Sequence, residues 1–262
     1  MTEWDACGYA RISALQQAMA TEVLALLKLN GSERVLDVGC GNGKVTAEIA
    51  SRVPAGTVLG VDSSADMIAS ARHQFGPELR PNLSFEVAEA RQLFFRHEFD
   101  LVVSFNALHW VSEQEQALRS IRSALKSSGT AQLRLVPAGQ RKSLENVIEE
   151  TRLSSRWASY YRGFSDPYLH LTPEQYRALA ERNGFHVERI HTEDKAWDFQ
   201  SRLAFVAFGS VTFVEWTQFL PEPERLAFVS DVLDRYRTVA ADRPGDENTF
   251  KFYQMDITLS AA

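Results

Sequence analysis

Residues 35–43 read VLDVGCGNG, an apolar run with one acid that enters three glycines at alternate positions, Gly39, Gly41 and Gly43. Glycine loses more backbone entropy on folding than any other residue. Three of them together mark a place where the backbone must turn sharply or lie bare against something bulky. The flanking segments say what kind of turn it is. RVLDVG before the glycines reads as a short buried strand, and KVTAEIASRV after them as a helix. The stretch is therefore a strand-to-helix turn.

The same alternation extends in both directions. Upstream, Ile12, Leu15, Met19, Val23 and Leu26 recur at helical spacing, which predicts a helix over 10–29 closed by Asn30-Gly31. Downstream, GTVLGVD (56–62) is a strand, SADMIASARHQF a helix with Ser64 at its N-cap, and LSFEVAEA (83–90) a third strand. FDLVVSF (99–105) is apolar throughout, as a strand covered on both faces should be. A helix bearing Ala117, Ile121 and Leu125 leads to a fifth strand, TAQLRLV. Pro173 opens a further helix, stopped at Asn183-Gly184 before a sixth strand. The tail alternates Tyr253, Met255, Ile257 and Leu259 with polar residues and reads as a seventh. The expected class is α/β: a doubly wound, mostly parallel, seven-stranded sheet with helical cap insertions.

The rhythm divides the chain into an N-terminal cap helix (1–30), an α/β core (31–137), a helical insertion (138–170), and the rest of the core (171–262) with a second helical stretch at about 201–240. The first insertion holds Trp157, Tyr160, Tyr161, Phe164 and Tyr168 and reads as a lid; the second either covers the crevice or completes the core.

Composition narrows the partners. The 262 residues carry a formal net charge of −6, which argues against a broad nucleic-acid surface. No run is apolar and long enough to span a bilayer, and MTEWDACGYA lacks the basic and apolar regions of a signal peptide. Two cysteines, Cys7 and Cys40, one of them inside the glycine stretch, point to a reducing, cytoplasmic setting. Cysteines and histidines show no metal-ligand spacing, so no metal is expected.

Three ligands compete for such a turn. A phosphate-binding P-loop needs Gly-x-x-x-x-Gly-Lys-Ser/Thr; Gly43-Lys44 is present, but Val38 and Val45 hold the other defining places. A dinucleotide fingerprint needs a third glycine where Lys44 or Thr46 stands. Neither fits, and neither explains Asp37. Asp-x-Gly-x-Gly-x-Gly suits a cationic, phosphate-free nucleoside such as S-adenosylmethionine, whose ammonium and sulfonium favour a carboxylate at the strand end. A second acid is then expected at the end of the next strand to take the ribose hydroxyls, and Asp62 stands there. Glu89, between Ala88 and Ala90, ends the third strand beside the expected adenine.

With these pieces in place the chain resembles class I S-adenosylmethionine-dependent methyltransferases over nearly its whole length. It looks closest to the branch of trans-aconitate and juvenile hormone acid methyltransferases. WDACGYARISALQQ, VLDVGCGNG, GVDSSADMI and SFNALHWV carry the likeness, the glycine motif for the superfamily and the others for the branch. Glu89 departs from the usual Asp, and LKSSG replaces a Lys-Pro-Gly-Gly turn. The resemblance implies cofactor contacts from Asp37, Gly39, Cys40, Gly41, Gly43, Asp62, Ser63, Met67, Ala88, Glu89, Ala90 and Asn106, with Tyr9 closing over the cofactor. It implies an acceptor pocket lined by Tyr9, Gln16, His109 and Trp110.

The implied reaction is methylation of a small molecule, with a carboxylic acid of some apolar bulk as the expected acceptor. Methylation of a hydroxyl, nitrogen or carbon, or a fold relative that binds the cofactor without methylating, are the alternatives. A carboxylate needs no base, whereas a hydroxyl would need one, and His109 is the candidate. Arg141, Lys142, Arg156 and Arg162 are candidates for holding a carboxylate. A monomer or homodimer is expected, with no nucleic-acid or membrane partner.

Overall fold

A computed structural model describes the backbone of residues 6–166 and 168–262 and the side chains of these from Leu15 onward. The chain divides into two compact units. The larger comprises Ala20–Ala138, Pro167–Glu193 and Gln254–Ala262; the smaller comprises Met1–Met19, Gly139–Asp166 and Asp194–Tyr253. Three elements run from one to the other: helix α1 (Ala6–Leu26) and strands β6 (Phe185–Asp198) and β7 (Thr249–Ala261).

The larger unit is built on the glycine turn. Strand β1 (Arg34–Val38) is buried at every position after its first. It pairs in parallel with β2 (Thr57–Asp62) on one side and β4 (Phe99–Phe105) on the other. Strand β3 (Leu83–Val87) extends the sheet beyond β2, and β5 (Leu125–Leu135) extends it beyond β4, both in parallel. The full order is β3-β2-β1-β4-β5-β7-β6, with β7 antiparallel to β5. The seven-stranded, mostly parallel sheet is thus the one expected.

Two apolar layers cover this sheet. Helices α2 (Lys44–Arg52) and α3 (Ala65–Gln74) contribute Ala47, Ile49, Ile68 and Ala71 to one, where Val35, Val58, Leu83 and Val103 meet them with Val23 and Leu24 of α1. Helices α4 (Gln114–Ala124) and α6 (Pro173–Arg182) contribute Leu118, Ile121, Tyr176 and Leu179 to the other, against Leu36, Val102, Leu133 and Ile257. Helix α6 starts as its sequence asks. Thr172 caps it with a reciprocal bond to Gln175, Pro173 takes the first turn, and Gly184 follows it at φ +81°.

Local boundaries depart from expectation in three places. Helix α1 ends at Leu26, short of Asn30-Gly31, because the Glu33 carboxylate takes the N–H groups of Asn30 and Gly31 and shapes a loop there. The LKSSG segment, exposed at Ser127 and Ser128, is not a turn ahead of the fifth strand. It lies within β5 as an irregularity, Phe99 pairing with Leu125 and Leu101 with Thr130. Strand β3 stops at Val87, so Glu89 follows the strand and immediately precedes a single 3-10 turn.

The smaller unit is helical. It holds α5 (Leu144–Arg152), α7 (Arg202–Thr212), α8 (Val214–Thr217) and α9 (Glu222–Ala240). Trp157 and Tyr161 are buried in it, whereas Tyr160 and Phe219 are exposed. Trp157 and Tyr161 both pack on Phe228 of α9, and the Trp157 indole donates to Asp231 at 2.9 Å. These two rings hold the unit together and are not available to line a pocket. The fifth aromatic of the expected lid, Tyr168, belongs to the larger unit.

Candidate functional site

In an open α/β sheet the crevice lies beyond the carboxyl ends of the strands where the strand order reverses. Here that point is the end of β1, between β2 and β4. The glycine turn leaves from it.

The turn is anchored by backbone and by one carboxylate. Gly39 and Cys40 both donate their N–H to the Val61 carbonyl, at 2.8 and 3.0 Å. Asp62 accepts from the N–H of Gly41 on one oxygen and of Ser64 on the other, both at 2.9 Å. Each oxygen keeps a second lone pair for a ligand hydroxyl. The three glycines have different reasons to be there. A Cβ on Gly39 would meet that of Ala107 at 2.2 Å, and one on Gly43 would strike the Phe85 ring at 2.6 Å. Gly41, at φ +55°, has nothing within 4 Å of its missing Cβ. Two glycines serve packing, and the middle one faces open space.

Asp37, at the end of β1, is buried, and the Thr46 hydroxyl of α2 donates to it at 2.7 Å. Among the described residues no Lys, Arg or His pairs with it. Burial pushes its carboxyl up to about 7, the Thr46 hydrogen bond opposing and the Asp62 charge adding to the rise. Burial, with Asp37 and Asp62 beside it, also drives the Cys40 thiol upward, so the sulfur is neutral and unsuited to nucleophilic work.

The other expected cofactor residues follow from the neighbouring strand ends. Ser63 and Met67 are exposed at the start of α3, whose N-cap is Ser64. Ala88 and Ala90 pack half-buried on the core, the Ala88 N–H bonding the Asp62 carbonyl at 3.0 Å. Glu89 is exposed, with Arg91 at 3.4 Å. Asn106 takes a left-handed conformation (φ +56°) just past β4 and donates its N–H to the Arg134 carbonyl. Sequence reasoning missed Thr46. Its signal was there: a β-branched hydroxyl residue at the third position of an amphipathic helix, on the face that must bury.

Beyond β4, His109 is buried and Trp110 half-buried. The segment 168–170 returns against them. The Leu169 N–H bonds the His109 carbonyl at 2.9 Å, and Tyr168 contacts His109, Trp110 and His170 at centroid distances of 4.7, 4.6 and 4.4 Å. The Val136 N–H points at His109 Nδ1 at 3.4 Å, which assigns the ring proton to Nε2. Burial, with His170 adding to it, pushes the His109 imidazole down to about 3. The ring is thus held in its neutral form.

Of the candidate acceptor residues, Gln16 is exposed on α1 in the smaller unit, and the Tyr9 side chain lies outside the described residues. The candidate carboxylate cations are mostly taken. Arg141 pairs with Asp194 through both its Nη atoms, Lys142 with Glu150 at 2.5 Å, and Arg156 with Asp231 at 2.9 Å; Arg162 is exposed. Among the described residues no group of three or more His, Cys, Asp or Glu is placed to hold a metal, and no helix is long and apolar enough to cross a membrane.

The chain is similar to known proteins. A family described as a methyltransferase domain matches residues 35–129, the stretch from β1 into β5. The trans-aconitate 2-methyltransferase of Deinococcus radiodurans is 29% identical over 263 residues, covering 95% of each chain. That of Enterobacter sp. (strain 638) is 29% identical over 252 residues, covering 95% of this chain and 93% of its own. Among solved structures, YcgJ of Bacillus subtilis superposes with a TM-score of 0.67 at 16% identity, covering 94% of this chain and 99% of that one. A phosphoethanolamine N-methyltransferase of Haemonchus contortus, solved with S-adenosylhomocysteine, gives 0.62 at 19% identity, covering 94% of this chain and 53% of that one. At those identities the structures speak for the fold.

Proposed function

We propose, from the premise that this chain is a class I S-adenosylmethionine-dependent methyltransferase near the trans-aconitate methyltransferase branch, that it methylates a carboxylate oxygen of a small acid with some apolar bulk.

The residues of the larger unit fit the cofactor. Among the described residues, Asp37 is a buried carboxylate with the Thr46 hydroxyl as donor and no cation, a site that an ammonium would complete. Asp62 keeps lone pairs for two ribose hydroxyls. Gly41 leaves open the space a side chain would fill. Glu89, reaching further than the usual Asp, would take the adenine amine, Ala88, Ala90, Met67 and Asn106 would contribute further cofactor contacts, and Gly39, Cys40, Gly43 and Ser63 shape the turn. When bound, S-adenosylmethionine supplies a methyl group on a cationic sulfur that leaves neutral.

The chain then has to position an acceptor and exclude water. Correct placement accounts for about 7–11 kcal/mol of barrier lowering where attack geometry is good. A dry site favours the meeting of a carboxylate with a cation. The observation that carries the carboxylate reading is His109. Buried, neutral and protonated on Nε2, it is a hydrogen-bond donor and a poor base. An acid already ionised at pH 7 asks for a donor, whereas a hydroxyl asks for a base. Trp110 and Tyr168 would face the apolar part of the acceptor. The names of the relatives point the same way.

The test is a panel assay. S-adenosylhomocysteine release is measured against aliphatic and aromatic carboxylic acids, phenols and amines, and the products are treated with base. Turnover on acids with base-labile methyl esters is expected. Turnover confined to amines or phenols overturns the acceptor assignment.

A further inference from the structure

Asp37 and Thr46 form a pair that the methyl-transfer chemistry itself does not require. Thr46 is fully buried in α2, Asp37 is 3% exposed at the end of β1, and their hydrogen bond is 2.7 Å long. A carboxylate removed from water without a counter-ion is costly, and a protein lowers that cost by holding the group as the neutral acid. The charged and titratable groups around it make matters no easier for the anion. Asp62 at the end of β2 adds a second negative charge, and Cys40 in the turn is a neutral thiol. From β4 the register partner is Val103, and from α2 the neighbour is Thr46; neither carries charge.

We infer that the cofactor's ammonium binds by displacing a proton from Asp37 to solvent, and that the Thr46 hydroxyl is the positioning group that sets how readily that proton leaves. This rests on the cofactor reading above. No covalent bond changes: the carboxyl O–H breaks, its proton goes to buffer, and the carboxylate pairs with the ammonium. Thr46 helps because its hydroxyl donates to one oxygen of the ionised form, favouring ionisation; a hydrophobic residue of the same shape would not. The rise of the carboxyl to about 7 agrees with a group that is partly protonated in the empty protein at neutral pH.

The experiment is titration calorimetry of S-adenosylhomocysteine at pH 6–7, below the usual 7.7–8.0 of an α-amino group, in two buffers of different ionisation enthalpy. The wild type should release a fraction of one proton, about half near pH 7. Its affinity should tighten up to about tenfold per pH unit at the acid end and level off above the titration. Asp37→Asn should release none. Thr46→Val should move release toward a full proton and weaken binding at pH 7, and Thr46→Ser should restore the wild-type profile. Methylthioadenosine, which lacks the ammonium, should release none. If Thr46→Val does not fold, the wild type and Asp37→Asn still decide the question. Equal heats in both buffers with a flat pH profile overturn the proton linkage and leave the cofactor reading standing. No binding of S-adenosylhomocysteine or S-adenosylmethionine by the wild type overturns that reading instead.

Discussion

The Asp62 carboxylate receives the N–H of Gly41 at 2.9 Å, so the acid at the end of β2 holds the turn that leaves β1. The same side chain takes the N–H of Ser64 at the start of α3. One carboxylate thus ties together two strand ends and a helix while keeping lone pairs toward the crevice.

Asp62→Ala should therefore do two things. It should weaken binding of S-adenosylhomocysteine by roughly 1.5–3 kcal/mol, the range for a hydrogen bond to a charged group. It should also loosen the turn, visible as faster exchange of the Gly41 and Ser64 amides without ligand. Calorimetry and hydrogen exchange read the two separately. Unchanged exchange would mean that the backbone alone holds the turn.

The glycines make a paired prediction. Gly39→Ala drives a methyl to 2.2 Å from the Ala107 Cβ, an overpacking of the kind that costs about 1–3 kcal/mol, plus left-handed strain. Gly41→Ala meets nothing within 4 Å and should cost the fold only the strain of φ +55°, about 1 kcal/mol. Cofactor affinity should rank them the other way at Gly41, where the new methyl enters the crevice. Urea unfolding and calorimetry on both variants test this, and equal effects on both quantities would contradict it.

Much of this was legible from the sequence because its causes are local. Glycine spacing, an acid at each strand end and the β-α rhythm are set by backbone sterics and burial over a few residues. What stayed hidden depends on partners far along the chain. Thr46 gains its role only when α2 lies over β1, and Tyr168 meets Trp110 only when the end of the first insertion returns to the segment past β4. Arg141, Lys142 and Arg156 read as candidate anion holders because their acids lie 53, 8 and 75 residues further along the chain. The aromatic group Trp157, Tyr160, Tyr161, Phe164 and Tyr168 read as part of a lid, but Trp157 and Tyr161 pack on Phe228.

Arg134 was invisible for the same reason. It lies on β5 at 2% exposure, bidentate to Asp256 of β7 at 2.6 and 2.8 Å and bonded to Glu22 of α1 at 3.0 Å. Removing one partner strands buried charge. Arg134→Ala should cost about 3–5 kcal/mol, and Arg134→Met combined with Asp256→Leu should recover much of it. Chemical denaturation of the wild type, Arg134→Met, Asp256→Leu and the double variant gives the coupling energy; strict additivity would show the pair to be energetically idle.

Asp37 also shapes the stability of the empty protein. Its folded-state titration, about 7, lies above the unfolded value near 3.8. The folded state thus holds a proton that the unfolded state has lost between those limits. The group's stabilising contribution is full below about 3.8 and falls away as pH rises to about 7. Asp37→Asn, which can still accept from Thr46, should match the wild type near pH 4 and exceed it in melting temperature above pH 7, while binding cofactor more weakly. A melting-temperature gap that does not widen with pH would contradict the assignment.

His109 has the opposite sign and decides the acceptor class. Its folded value is about 3 against 6.5 unfolded. The unfolded chain therefore takes up a proton first, and the stability His109 contributes is present above 6.5 and lost as pH falls toward 3. The catalytic consequence is separate. A neutral donor with no titration between pH 5 and 8 gives a kcat that is flat across that window once cofactor is saturating. If the acceptor is a carboxylate, His109→Ala removes a binding hydrogen bond, so KM should rise with kcat little changed. His109→Gln, which keeps a donor, should recover part of the loss. If the acceptor is a hydroxyl, its proton must leave near the transition state, and His109→Ala should cost about 10²–10⁴ in kcat. Steady-state kinetics of the three proteins from pH 5 to 8 separate the two, and a large kcat loss together with a rate that climbs with pH would rule out the carboxylate.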